Sequence, residues 1–539
     1  MNDWWKGAAI YQVYPRSFYD SNHDGVGDLP GVIERLDHIA TLGVDAIWLS
    51  PFFVSPMRDF GYDISDFRDV DPVFGTLDDF DTLVRCCHER GLKIIIDQVY
   101  SHTSDRHPWF LESRASADNP HADWYVWADA RLDGSPPTNW LSYFGGPAWS
   151  WDTRRRKYYL HNFLAEQPDL NFHNPEVRAA MLDVARFWLD RGVDGFRLDA
   201  ANYYYHDAEL RDNPPSDAPE PRRPYHFQTH LYNRSRPENL EFLRQMRALL
   251  DQYDARMSVA EIASSKHMQR TVEYTQGPDR LHTAYNFIFL ETDRLTPGLL
   301  RHALEPWDGV EAWPSWSFSN HDVKRAVTRW GGSNPDPGFA RVLMALLATL
   351  RGTIFVYQGE ELGLPQADIP FERLRDPEAI RFWPENLGRD GSRSPMPWAA
   401  RSLHSGFSTV EPWLPVDPRH AALAVDEQAR DPDSTLNFTR RMLALRRQFP
   451  VLRSGGIVFH EAGEHVLSFE RSEGQQRVLC MFNATDFPQR AAIPTDLTGA
   501  RVLDTGLGGR FEDGEARLPG HGGLIAVLEQ ALVPESVDG

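Results

Sequence analysis

The stretch GVDGFRLDAANYY, residues 192–204, sets Arg197 and Asp199 two positions apart inside a short apolar run, just before a small AAN. Phe196 and Leu198 fall on one side of a period-2 pattern and the two charges on the other. That suits a strand whose second face is not solvent. Two readings follow. One is a buried ion pair that fixes register; the other is a nucleophilic carboxylate kept ionised by the neighbouring guanidinium.

Outward from this stretch, strand-like runs alternate with amphipathic helices. AAIYQVY is followed by the helical LPGVIERLDHIATLG and then by VDAIWLSPFF. LDDFDTLVRCCHERG precedes LKIIIDQVYSH, and NPEVRAAMLDVARFWLDRG precedes VDGFRLDAAN. Later, PENLEFLRQMRALLDQYD precedes ARMSVAEIAS, and ARVLMALLATLRG precedes TIFVYQGEEL. Such alternation predicts a parallel sheet, and this many units favours a (β/α)8 barrel over an open sheet. The barrel is expected over residues 1–102 and 175–454. A Trp-, Pro- and Gly-rich stretch at 103–174 is too long for a bare loop and reads as an inserted domain after the third strand. A second insertion at 206–237 contains NPPSDAPEPRRP (213–224), which its prolines keep non-helical. It is either an exposed linker or a mobile rim over an active site. From 455 to 539 short alternating strands between Gly and Pro, such as HVLSFER and RVLCMFNAT, predict a C-terminal antiparallel β-domain.

The 539 residues exceed one small core. A net charge of −21 repels phosphate backbones and anionic membranes, so nucleic acid and membrane surfaces are excluded as partners. Seventeen Trp, 18 Tyr and 30 Phe supply both core and flat faces that suit sugar rings. Three cysteines, Cys86, Cys87 and Cys480, give no disulfide framework and no metal-ligand spacing, which fits a reducing cytoplasm. The start, MNDWWKGAAIYQVYPRSF, lacks the pattern of a signal peptide. The apolar run VLMALLATL (342–350) is too short to span a bilayer. The expectation is a soluble cytoplasmic protein.

In such a barrel, reactive groups gather at the C-terminal ends of the strands. Those ends carry Asp97 and His102 (IIIDQVYSH), Arg197 and Asp199 (FRLD), Glu261 (SVAE), and His321 with Asp322 (FSNHD). Acids there make a poor core, because each buried charge must be paired. In order and register, DQVYSH, GFRLDAAN, VAEI and FSNHD resemble the motifs of the α-amylase superfamily of glycoside hydrolases. QPDLN (167–171), DFGYDISDF (59–67), YQGEELG (357–363) and GRDGSRSPMPW (388–398) resemble its oligo-1,6-glucosidase and α-glucosidase branch, and the likeness runs over essentially the whole chain.

That resemblance implies residue roles. Asp199 is the nucleophile, with Arg197 favouring its ionised form. Glu261 is the general acid and then the base, its pKa raised by its surroundings, and Asp322 is the third acid that stabilises the transition state. His102 and His321 hydrogen-bond ring hydroxyls. Asp59 and Arg389 close the end of a glucose pocket and favour exo-action; Tyr62 stacks on the ring. Phe144 and Phe163 are further walls or ordinary core aromatics. Asp97 braces Arg197 or the first histidine. Two departures from the family pattern are Ser101 and Ala260, where Asn and Gly are usual, and neither removes a catalytic group. Ala200 follows the nucleophile where Val is usual for α-1,6 action, which leans toward α-1,4 bonds.

The implied activity is a retaining, exo-acting α-glucosidase that transfers glucose from small α-glucosides to water and hydroxyl acceptors. The 213–224 stretch would control the choice of acceptor. Oligo-1,6-glucosidase, trehalose synthase and sucrose-active glucosyltransferase are the alternatives within the family. A non-enzymatic binding homologue would lack the acids retained here. Finally, DSNHDGVGD sets Asp20, Asn22, Asp24, the Val26 carbonyl and Asp28 at positions 1, 3, 5, 7 and 9, the oxygen spacing of a Ca2+ loop. A structural Ca2+, with Mg2+ as the alternative, competes with a metal-free Asx turn; related α-glucosidases carry a similar loop.

Overall fold

The structure, a computed structural model, describes residues 3–217, 223–264, 266–307, 309–497 and 499–528. Residues 218–222 of the Pro-rich stretch and 529–539 of the expected C-terminal domain lie outside the described residues. Eight parallel strands close into a barrel: β1 Ala9–Val13, β2 Ala46–Leu49, β3 Lys93–Gln98, β4 Gly195–Leu198, β5 Met257–Ile262, β6 Thr283–Asn286, β7 Trp313–Ser317 and β8 Thr353–Tyr357. Each neighbours the next in sequence, and β8 returns to β1 through Ala9 opposite Ile354. This is the α/β barrel that the helix–strand alternation predicts.

Pleat alternation settles what the second face of GFRLD meets. Phe196 and Leu198 join the large core shared with the helices. Ile10, Ala46, Trp48, Ile95, Met257, Val259, Tyr285 and Phe355, from six of the strands, form a separate cluster. Register sets Arg197 opposite Asp97 on β3 and opposite Val259 on β5. Arg197 therefore belongs to the barrel interior with Trp48 and Tyr285.

The outer helices start where their sequences provide caps. Thr76 and Asp79 form a capping box for Leu77–Glu89, and Asn174 caps Pro175–Asp190 with proline in its first turn. The expected helix LPGVIERLDHIATLG breaks at Arg35 into Leu29–Glu34 and Leu36–Leu42. Between β3 and β4, a three-stranded antiparallel sheet (Trp127–Ala128, Lys157–Leu160, Trp149–Asp152) packs its own core of Val126, Trp140, Trp149 and Leu160. After the barrel, five strands from Gly456–Phe459 to Gly522–Leu528 form one antiparallel sheet and three shorter ones a second. No helix among the described residues is long and apolar enough to cross a membrane.

Two buried arginines tie this β region to the barrel. Arg446, on helix Thr435–Gln448, donates to the carbonyls of Gly7, Ala348, Leu350, Leu452 and Gly352. Arg471, on strand Val466–Glu473, donates to those of Thr349, Leu452, Gly455 and Gly456. Neither has a carboxylate within ion-pair distance among the described residues; carbonyl dipoles alone solvate both. Replacing Arg446 by Met strands these acceptors in a dry interface. Arg446→Met is expected to cost about 3 kcal/mol of stability in urea denaturation.

Candidate active site

At the C-terminal end of the barrel one guanidinium organises the charged groups. Arg197 Nη1 donates to Asp97 Oδ1 at 2.7 Å and to Asp199 Oδ1 at 2.6 Å, and Nη2 lies 2.6 Å from Glu261 Oε1. Tyr285 Oη, from β6, accepts from Arg197 at 3.0 Å and stands 3.3 Å from Glu261 Oε1. The Trp48 ring lies 5.2 Å from the guanidinium carbon. Three carboxylates thus share one cation in a site where Arg197 and Asp97 have no exposed side-chain surface.

That arithmetic fixes the electrostatics. With every carboxyl ionised the cluster would carry two uncompensated charges in a dry interior, so burial raises the pKa of each acid. Asp97 is pushed to about 6, and Asp199 and Glu261 to about 7, in each case by burial first, with Arg197 pulling down. Arg197 favours the ionised form of Asp199, as expected, but it does not act alone. Burial outweighs a guanidinium divided three ways, and all three acids are pushed toward their protonated forms. Asp322 differs. Burial raises it too, but His321, Arg393 at 2.9 Å and Arg389 at 3.4 Å hold it well below the usual carboxylate range.

A polarised chain joins these acids. Gln12 Nε2 donates to His321 Nδ1 at 2.8 Å, leaving the ring proton on Nε2, 2.5 Å from Tyr62 Oη and 3.2 Å from Asp322 Oδ2. Tyr62 Oη in turn donates to Asp97 Oδ2 at 3.2 Å, as does Trp48 Nε1. Burial keeps His321 neutral, at about 3, and His102 neutral, at about 4. The Tyr62 and His321 rings lie parallel, 5.4 Å apart.

One end of the pocket is closed by charge. Arg389 Nη2 bridges Asp59 Oδ1 at 2.8 Å and Asp376 Oδ1 at 2.7 Å, with the Phe144 ring 5.2 Å from its guanidinium carbon. Gln167 Nε2 reaches Asp59 Oδ2 at 3.3 Å and His102 Nε2 at 3.1 Å. His102 Nε2 also faces the Tyr62 carbonyl at 2.9 Å, so the atom expected to meet a ring hydroxyl is engaged within the protein. That carbonyl, which can only accept, puts the ring proton on Nε2, and Ser101 Oγ, standing where Asn is usual, donates to His102 Nδ1 at 2.9 Å. Phe163 packs 5.3 Å from His102. The structure thus brings Asp199, Glu261, Asp322, Arg197, His321, Tyr62, Asp59, Arg389, His102, Phe144 and Phe163 into one connected cluster. Asp97 braces Arg197 and Tyr62, not His102.

Ala200 carries a second surprise. Its φ is +41°, uncommon for a residue with a Cβ, and its N–H donates to Glu261 Oε2 at 3.1 Å. The turn after the Asp199 strand thereby holds the neighbouring acid. Sequence reading missed Tyr285, Asp376, Gln12 and Trp48. Tyr285 sits on TAYN, a four-residue strand with no motif. Asp376 shows in the sequence only as the cap of DPEAI, helix Pro377–Phe382. Arg393 lies inside the quoted GRDGSRSPMPW without having been singled out.

The Asp20–Asp28 loop follows β1, away from this cluster's contacts. Asp20 accepts from the amides of His23, Asp24 and Gly25 and from Ser408 Oγ; Asp28 accepts from Ser21, Asn22 and Gly31 and caps helix Leu29–Glu34. Among the described residues no three His, Cys, Asp or Glu side chains are grouped as a metal shell. Asn22 Oδ1 accepts from the Asp24 amide, and Asp24 Oδ1 from that of Val26.

Residues 12–455 match the model of the alpha amylase catalytic domain. The chain is 51% identical to a probable alpha-glucosidase of Rhizobium meliloti (strain 1021), over 98% of this chain and 97% of that protein. It is 37% identical to an oligo-1,6-glucosidase of Heyndrickxia coagulans, over 96% and 99%. The crystal structure of an alpha-glucosyl transfer enzyme superposes with a TM-score of 0.95 at 52% identity, covering 98% of this chain and all of that one.

Removing the shared cation should expose the charge imbalance. In the intact protein the raised acids bind more protons than in the unfolded chain, so their contribution to stability falls as pH rises from about 4 to about 7. In Arg197→Met the folded-state pKa values rise further, and that loss continues above pH 7. Thermal melts should show a deficit against wild type that widens from pH 6 to pH 9; a constant deficit contradicts the shared-cation account.

Proposed function

The chain belongs to the α-amylase family of glycoside hydrolases, and we propose that it is a retaining, exo-acting α-glucosidase that also transfers glucose to hydroxyl acceptors. The observation that carries this reading is the Arg197 cluster, which places two acids, Asp199 and Glu261, on one guanidinium at adjacent strand ends.

In the first step an Asp199 carboxylate oxygen attacks the anomeric carbon of the terminal glucose. The glycosidic C–O bond breaks and the Glu261 proton goes to the departing oxygen. Burial, which raises the Glu261 carboxyl, is in keeping with Glu261 as the acid, and the two Arg197 N–H groups hold both acids in place. In the second step Glu261 takes a proton from water or an alcohol, whose oxygen attacks the anomeric carbon and displaces Asp199. Two inversions give net retention. Asp322, kept ionised by Arg393 and Arg389, stabilises the positive charge that develops on the sugar ring.

The Asp59–Arg389–Asp376 bridge beside Phe144 supports exo-action, since it fills the place a further sugar would need. The Ala200 methyl leaves room beside the scissile bond and favours α-1,4 over α-1,6 linkages; such a difference in pocket volume is worth about 1–3 kcal/mol. A relative named oligo-1,6-glucosidase supports α-1,6 action as the second reading. Unpaired cysteines among the described residues support a cytoplasmic setting.

The Asp20 loop would bind one Ca2+, or Mg2+, through Asp20, Asn22, Asp24, the Val26 carbonyl and Asp28. An all-oxygen donor set suits a hard cation; Asp20 and Asp28 each accept four hydrogen bonds from the loop and its neighbours, so the ion would take the place of some of them. The ion's part would be structural, fastening the loop to Ser408.

Proton NMR of p-nitrophenyl α-glucoside turnover, which releases a single glucose, should show α-glucose as the first-formed sugar; β-glucose formed first would overturn the nucleophile. Glu261→Gln is expected to lose about 10²–10⁴-fold on maltose but far less on a dinitrophenyl glucoside, whose leaving group needs no proton. The wild-type rate on maltose should fall as pH rises through about 7, where Glu261 loses its proton, while the dinitrophenyl substrate lacks that limb. Chelator should lower the Tm of wild type, and Ca2+ restore it, with no such response in Asp24→Ala.

A further inference from the structure

The reading above leaves QPDLN largely unused, along with the insertion that follows β4. Both converge on three residues, Asn233, Arg234 and Ser235. Asn233 is fully buried. Its Nδ2 donates to Asn162 Oδ1 at 2.8 Å, and Asn162 donates its backbone N–H and its amide to the two oxygens of Asp169, the third residue of QPDLN. Asn213 Nδ2 donates to Asn233 Oδ1 at 2.9 Å and fixes the amide's orientation. Arg234 Nη1 donates to Tyr203 Oη at 2.9 Å, and Tyr203 Oη meets Tyr225 Oη at 2.6 Å. Ser235 N–H donates to the Asn202 carbonyl at 2.6 Å, and Asn202 Nδ2 donates to Ser235 Oγ at 2.9 Å and to the Ala263 carbonyl at 2.8 Å.

These bonds join three parts of the site. Asn202 and Tyr203 belong to the turn after Asp199, whose Ala200 and Ala201 amides both donate to Glu261. Ala263 is two residues beyond Glu261. Tyr203 packs 5.3 Å from Phe163, which packs 5.3 Å from His102. Tyr203 lies in the turn whose amides hold Glu261, and Asn202 bonds the chain two residues beyond it, so these residues adjoin the acid that meets both the leaving group and the acceptor. Ser235 has a φ of +54°, a costly conformation for serine that its neighbours impose.

Resting on the glucosyl-transfer reading, we propose that Asn233–Arg234–Ser235 is a positioning clamp that sets the acceptor-side wall and thereby the partition of the glucosyl-enzyme between water and alcohols. None of the three touches the reacting atoms. Asn233 anchors the clamp to the inserted region through Asn162 and Asp169. Arg234 and Ser235 transmit that anchorage to Tyr203 and Asn202. A loosened wall admits water and misplaces the alcohol oxygen, and an ångström of misplacement is costly for an oriented bimolecular step.

Both products drain from one intermediate, so their ratio is independent of the amount of active enzyme. Maltose with glycerol as acceptor, resolved by chromatography, reads that ratio as glucosyl-glycerol over the glucose that remains after subtracting one leaving-group glucose for each maltose consumed. Asn233→Ser and Ser235→Gly are expected to lower it on the order of tenfold, beyond any change in the rate of maltose consumption. Ser235→Gly decides alone if Asn233→Ser fails to fold, since glycine takes the positive φ without strain. A lowered Tm with the wild-type ratio means the clamp is merely structural and overturns the proposal. A wild-type enzyme that forms no glucosyl-glycerol refutes the transfer reading instead, a separate outcome.

Discussion

One guanidinium facing three carboxylates is the constraint on which the rest of the site depends. Arg197 cannot neutralise Asp97, Asp199 and Glu261 together, and burial takes from them most of the solvation that would make up the difference. The cluster meets the deficit by pushing its acids toward their protonated forms and by spreading what charge remains over fixed donors: Tyr285, Trp48, Tyr62 and the Ala200 amide. A site that pushes one acid toward its protonated form beside a carboxylate at bonding distance from a cation has the makings of paired acid and nucleophile.

The same economy explains why the surrounding histidines are neutral. His321 and His102 are buried close to guanidinium groups or apolar rings, and a further positive charge there would have no partner. Neutral, each ring has one donor and one acceptor; the Gln12 amide determines which is which in His321 and the Tyr62 carbonyl in His102. Positive charge is assigned instead to Arg389 and Arg393, which clamp Asp322 and close the pocket's far end.

Architecture divides labour accordingly. Barrel strands deliver the acids with little freedom, since each sits at a strand end in register with its neighbours. The region between β3 and β4 and the insertion after β4 supply walls, and they reach the barrel's chemistry through buried amide bonds rather than through apolar packing alone. Amide networks specify orientation as well as proximity, which suits a surface that must present an acceptor oxygen.

Sequence by itself determined the barrel, because helix and strand periodicities alternate visibly along the chain, and it determined the acids, because charges closing apolar strands have few structural uses. The motifs carried Asp59, Arg389 and the family likeness. Tertiary structure alone decided what depends on summed environments. Asp199 has its guanidinium two residues away, which favours the ionised form as expected, yet burial, with the charges of Asp97 and Asp322, outweighs it and the net shift is upward. Tyr285 and Asp376 are ordinary residues in short, unpatterned stretches, and only closure of the barrel and folding of the loop after β8 bring them to Arg197 and Arg389. A local pattern encodes which face a side chain takes. How many groups share one charge is a property of the assembled interior, where the low dielectric makes that number matter.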